Sequence, residues 1–110
     1  MEKVLVIKIN VLPESKEELL ERSRKAWKLN PKRLDNVERV IVLYNQVVQE
    51  EYALGDSLLY FLDGELKGRV ELQLIDYPHE KTLKGKSIKY QTSNPATIKT
   101  YKDLEALIVE

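Results

Sequence analysis

The chain has no cysteine and only one histidine, one tryptophan, one phenylalanine and one methionine among its 110 residues. Without cysteine there is no disulfide scaffold, no thiolate zinc site and no cysteine nucleophile. The lone histidine, His79, excludes histidine-clustered metal sites and a Ser-His-Asp triad. Glycine and proline number four each, too few for a collagen-like or low-complexity chain. No apolar run approaches the roughly 20 residues that a membrane span requires. The opening stretch, MEKVLVIKIN, carries Lys8 inside its apolar run and has no small-residue cleavage pattern. It therefore reads as a strand rather than a leader, and the expected location is the cytoplasm with no membrane partner.

What remains is an ordinary globular composition, 43% apolar and 33% charged in 12.8 kDa. That suits one domain over residues 1–110, large enough to bury roughly two-thirds of its unfolded surface. Basic and acidic residues balance at 18 each, but unevenly along the chain. Residues 22–39 carry a net charge of +5, residues 81–102 carry +6 with no acid, and residues 50–76 carry −5. Such blocks create local fields that attract phosphate even where the total vanishes. Folding also commonly interleaves them into a mixed surface.

Local patterning predicts a strand over Val4–Val11, rich in β-branched residues and ended by Pro13. Ser15 and Glu18 form a capping box that opens a helix. Leu19, Leu20, Ser23, Ala26 and Trp27 then recur at helical spacing, which places Trp27 on the apolar helix face. Asn30-Pro31 reads as the N-cap and first position of a second short helix reaching Asn36. Two strand-like runs, Arg39–Tyr44 and Val47–Leu54, flank Asn45-Gln46, a tight hairpin turn with Gln46 in glycine's usual place. In the second run the alternation puts Val48, Glu50 and Tyr52 on one side. Gly55-Asp56 reads as a break before a further strand, Leu58–Leu62. The alternating run Arg69–Asp76 marks an antiparallel strand with one wet face. A lysine-rich loop follows, with a short strand at Ser87–Tyr90, and Thr100–Val109 fits helix or strand equally. Together these elements predict an α+β fold: a small curved antiparallel sheet or partly open barrel, with helical segments inserted after the first strand.

No cofactor motif survives inspection. Gly85-Lys86-Ser87 ends like a phosphate-binding loop, but Glu80 stands where that loop needs glycine and no helix pattern follows. Asp56 with Glu65-Leu66-Lys67 weakly matches the carboxylate pair and lysine of metal-dependent nucleases. A solvent-exposed turn with ordinary surface charges explains it better, so no metal ligand is assigned. His79 reads as a surface residue. Lys84, Lys86 and Lys89 suit phosphate contacts, and the guanidinium fork of Arg33 suits a bidentate phosphate clamp. Tyrosines or Trp27, with Asn94, could contact an exposed base.

The motif order is Val6-Ile-Lys-Ile-Asn10, Ala26-Trp-Lys-Leu29 closing a helix, Arg33, Val40-Ile-Val-Leu-Tyr-Asn-Gln-Val-Val-Gln-Glu-Glu-Tyr52, Gly68-Arg-Val-Glu71, Leu83-Lys-Gly-Lys-Ser-Ile88 and Ser93-Asn-Pro-Ala96. It resembles a poorly characterised family of short prokaryotic and phage proteins. More remotely, the strand-turn-strand, the Gly-Arg pair and the later basic loop are similar to PUA-like barrels, a superfamily with modules that recognise RNA or modified bases. That resemblance implies a ligand cleft near Trp27, Arg33, Tyr44, Asn45, Arg69 and the loop from Lys86 to Asn94. The leading expectation is a non-enzymatic nucleic-acid-binding module with DNA or RNA as partner. The alternative is a protein-interaction module acting through a sheet edge, or a homodimer whose acidic 50–76 and basic 81–102 blocks pair between subunits. A metal-dependent nuclease is third.

Overall fold

The computed structural model describes residues 2–109. Its elements are β1 (Lys3–Ile9), α1 (Lys16–Arg24), β2 (Trp27–Lys28), a short 3-10 helix (Pro31–Leu34), β3 (Val37–Tyr44), β4 (Val47–Tyr60), β5 (Arg69–Asp76), β6 (Ser87–Ile88), β7 (Ala96–Thr100), α2 (Tyr101–Glu105) and β8 (Ile108–Val109). One sheet runs in the order β2-β5-β4-β3-β1-β7, and β6 joins β4 to β8. The predicted α+β architecture with a small curved sheet is what forms. One ladder departs from the antiparallel expectation. β1 pairs β3 in parallel, from Val4–Arg39 to Ile9–Tyr44, because α1, β2 and the 3-10 helix form the crossover between them.

Central position explains the composition of β1. Val4, Leu5, Val6 and Ile7 are all fully buried, since elements cover both faces of the sheet there. Leu5, Ile7 and Ile9 point into one core with Trp27, Val40, Val42, Val70 and Leu72. Val4 and Val6 point into a second core with Ile41, Leu43, Leu83, Ile88 and Leu104. Tyr52 lies in the first core, and burial, reinforced by nearby Glu50, pushes its phenol up to about 12. The unfolded chain ionises near 10, so the contribution is complete below pH 10 and is lost as pH rises toward 12. Alkaline titration of unfolding should show a loss on the order of 2 kcal/mol over that window, and Tyr52→Phe should remove most of it.

Caps act where the sequence places them. Ser15 Oγ accepts the Glu18 amide at 3.1 Å, while the Glu18 carboxylate reaches the Glu14 amide at 3.4 Å. Asn30 Oδ1 accepts the Lys32 amide at 3.0 Å. The helix stops at Arg24, however, and Trp27 is not on it. Its indole Nε1 folds back to the Ser23 carbonyl at 2.8 Å, and its backbone pairs with Val70. Burying the indole in the sheet core outweighs one further turn of helix.

The β3–β4 turn holds Asn45 at φ 49° and Gln46 at φ 65°, the paired left-handed conformations of a tight hairpin. Asparagine tolerates this, but glutamine pays a side-chain clash of about 1–2 kcal/mol. Gln46→Gly should therefore stabilise the fold by about 1 kcal/mol in chemical denaturation.

β4 corrects two readings. A bulge at Gln49 sets Val42 opposite Glu50 but Leu43 opposite Val48. Val48 consequently lies in the second core and Tyr52 in the first, not on one side. Gly55-Asp56 does not end the strand: a second bulge between Leu54 and Leu58 carries it on to Tyr60, leaving Phe61 and Leu62 outside. A Cβ on Gly55 would collide with the Gln73 side chain, whose Oε1 accepts the Ser57 amide at 3.0 Å. The C-terminal tail forms both alternatives, α2 and then β8.

Candidate nucleic-acid interface

A groove opens where the end of β1 meets the β3–β4 turn and residues 90–95. Two pockets there share Lys8, Ile9, Asn10 and Ser93 in their linings but open on opposite faces of the sheet, the first beside Leu43 and Tyr90 of the second core and the second beside Trp27 of the first. The first, of about 740 Å³, is completed by Leu43, Asn45, Gln46, Tyr90, Gln91 and Thr92. The second, of about 960 Å³, adds Arg22, Ala26, Trp27, Lys28, Leu66, Arg69, Asn94 and Pro95. Lys8 anchors the far wall, because its amide donates to the Pro95 carbonyl at 2.8 Å and its ammonium to the Thr92 carbonyl. Asn94 Oδ1 accepts the Ala96 amide at 3.1 Å and turns the segment into β7. Across the groove, the Ile88 amide donates to the Gln46 carbonyl at 2.8 Å.

The lining holds four cations, Lys8, Arg22, Lys28 and Arg69, and no carboxylate. Lys28 and Arg69 are direct cross-strand partners, which sets their Cβ atoms about 5 Å apart. Arg69 donates one N–H to the Ala26 carbonyl at 3.0 Å, and Arg22 one to the Lys25 carbonyl at 2.9 Å. Each guanidinium has further N–H groups beyond that bond. Like charges directly opposite destabilise a sheet, and here no acid lines the groove to relieve them. An anion would.

This chain matches no family model, no curated protein and no solved structure. The functional reading therefore rests on geometry and chemistry alone.

Of the nine residues singled out in the sequence, Trp27, Arg69 and Asn94 come together in the second pocket and Asn45 lines the first. Trp27 is only 4% exposed and lies beneath the Arg22 guanidinium at 4.9 Å, so it is a wall and not a free stacking surface. Tyr44 is half-buried at the end of β3 and packs against the first core. Arg33 is exposed on the 3-10 helix, outside the lining. Lys86 and Lys89 are exposed and line neither pocket; the Lys86 carbonyl accepts the Val48 amide next to the turn, and the Lys89 amide donates to the Leu107 carbonyl. Lys84 is engaged elsewhere: its ammonium lies 3.0 Å from Glu50, which also binds Lys81 at 2.8 Å. Burial alone would raise the Glu50 carboxyl, but the Lys81 bond, the Glu51 amide and Lys84 together hold it below its ordinary value. Lys81 also pairs with Asp76. The acidic and basic blocks thus meet within one chain at these residues.

Lys8, Arg22 and Lys28 were not singled out in the sequence as ligand contacts. The available signal was Lys8 itself, a charge inside an otherwise buried strand. Asp56 lies in the β4 bulge and Glu65 in the turn beyond Tyr60. Among the described residues no three histidine, aspartate or glutamate side chains converge as a metal site. Likewise, no described helix is long and apolar enough to cross a membrane.

Proposed function

We propose that the protein is a nucleic-acid-binding module whose groove engages phosphates through Lys8, Arg22, Lys28 and Arg69. The observation that carries this reading is the juxtaposition of Lys28 and Arg69 in a lining with no carboxylate. Exposed Lys86 and Lys89 extend the positive surface past the hairpin turn.

Fluorescence anisotropy with labelled single- and double-stranded DNA and RNA tests it. Three or four phosphate contacts on a single strand should weaken binding by about 20- to 50-fold between 50 and 200 mM salt. Absence of saturable binding at the lower salt rejects the proposal. Lys84→Ala should leave affinity within about twofold of the parent, since that ammonium is held by Glu50.

A second reading, docking of a protein partner, draws on the apolar arm formed by the far half of β4 and the turn beyond it. Leu59 and Leu62 are 52% and 75% exposed there. Apolar docking would persist across the same salt range.

A further inference from the structure

We infer that the protein pairs with a second copy of itself along the free edge of β5, residues 71–75, in a two-fold antiparallel ladder centred on Gln73. β5 pairs with β4 along one side from Val70 to Asp76, but β2 takes up the other side only at Arg69 and Val70. Beyond Val70, no strand or loop backbone among the described residues bonds to that second side. Five consecutive residues, 71–75, line a groove of about 460 Å³ together with Leu20 and Arg24 of α1. An uncovered edge is a template for another strand, and proteins that do not use one guard it with lysine or proline. The opposite end of the sheet, β7, carries exposed Lys99. Residues 71–75 hold neither lysine nor proline, and Ile75 is 52% exposed.

A second copy is the occupant because this edge complements itself. A two-fold axis through Gln73 opposes Leu72 to Leu74 and Glu71 to Ile75, so no two like charges face each other. The helix beside the edge is centred near the same point. Arg24 lies 3.7 Å from Glu71 at one end, and Leu20 lines the groove with Leu72 and Leu74 in the middle. At the other end Glu17 shares a pocket with Asp76, itself paired with Lys81. The axis sets the two α1 helices antiparallel, which carries Arg24 of each copy toward Glu17 and Asp76 of the other. The acidic first turn of one helix, Glu17 and Glu18, then runs beside the basic last turn of its mate.

Sedimentation equilibrium of the intact chain, without nucleic acid, from about 1 to 500 μM tests it. The mass should rise with concentration to twice the 12.8 kDa of one chain. Two substitutions at exposed Ile75 separate this register from general apolar association. Ile75→Glu sets a glutamate opposite Glu71 twice across the axis, whereas Ile75→Lys loses the same apolar side chain but sets a lysine there. The glutamate variant should have a dimer dissociation constant about tenfold or more above that of the lysine variant. Melting curves check that both are folded. The chain has no cysteine, so Gln73→Cys reports the axis itself. That variant, once shown to be folded, should form a disulfide-linked dimer on mild oxidation, and Lys99→Cys on the β7 edge should not. A parent that stays monomeric throughout overturns the proposal. A dimer that both Ile75 variants weaken equally, or that cross-links through Lys99→Cys and not through Gln73→Cys, overturns its assignment to the β5 edge.

Discussion

Arg39→Ala should lower the unfolding free energy by about 3–5 kcal/mol, a large share of the 5–15 kcal/mol that a domain this size holds. Arg39 lies on β3 at the edge of the second core, its side chain 8% exposed. Its guanidinium sits 4.1 Å from the Tyr77 ring and 4.2 Å from the Tyr101 ring, donates to the Tyr77 hydroxyl, and faces Glu51 at 3.5 Å and Glu2 at 3.4 Å. It thereby joins the central sheet to the 77–83 loop and to α2. Truncation removes two cation–π contacts and strands Glu51, which is fully buried. The Glu51 carboxyl already lies above its ordinary value because of burial, against the opposing pull of the Leu83 amide and Arg39.

The sign of the pH dependence follows from that shift. A carboxyl raised in the folded state carries its ionisation cost above the folded pKa and sheds it on protonation. The deficit of the Arg39→Ala variant should therefore shrink as pH falls from 7 toward 5, measured by urea denaturation. The pair is imperfect even when intact: Arg39 Nε and Nη1 and Glu51 Oε1 are buried without a hydrogen bond. Arg39→Met combined with Glu51→Leu should consequently recover most of the stability that Arg39→Ala loses. A double variant as unstable as the single one would show that the ring contacts, not the stranded charge, carry the effect.

Replacing Arg22, Lys28 and Arg69 together by alanine should reduce single-strand affinity on the order of several hundredfold at 50 mM salt. The logarithmic salt slope should fall by about 2, three phosphate contacts at about 0.7 each. Lys28→Ala alone separates a binding role from a structural one. Its ammonium is exposed and directly opposes Arg69, so its removal weakens binding while stability stays level or rises by a few tenths of a kcal/mol. A Lys28→Ala variant that binds normally removes the cross-strand pair from the interface. Arg69→Ala costs some stability as well, since its bond to the Ala26 carbonyl holds β2 against β5.

Short-range chemistry was legible wherever it acted alone. Ser15, Asn30 and the Asn45-Gln46 turn do what their side chains and permitted dihedrals require. The alternation of Val70, Leu72 and Leu74 against Gln73 gave the buried face of β5 directly. Gln49 was misleading because a bulge inverts the faces on either side of it, and side-chain alternation cannot reveal where an extra residue goes unpaired. Trp27 was misleading for a different reason. Its spacing from Leu19, Leu20 and Ser23 is helical, yet the largest apolar side chain in the chain gains more from the sheet core than from continuing α1. Gly55 looked like punctuation but marks the close approach of Gln73.

The sequence by itself determined the α+β class, the helix caps, the hairpin turn and the positions of opposed charge blocks, because each depends on neighbours within a few residues. Only the tertiary structure decided which charges remain free to act. Lys81 and Lys84 fold onto Glu50, and Arg39 onto Glu51, because strand register carries acids to bases more than ten residues away. Lys8, Arg22, Lys28 and Arg69 come from three separate stretches and converge without a carboxylate among them. A parallel β1–β3 pair with a helical crossover, and β2 laid against β5, bring them to one groove. Charge count is a property of the chain, but charge compensation is a property of the distances that folding sets.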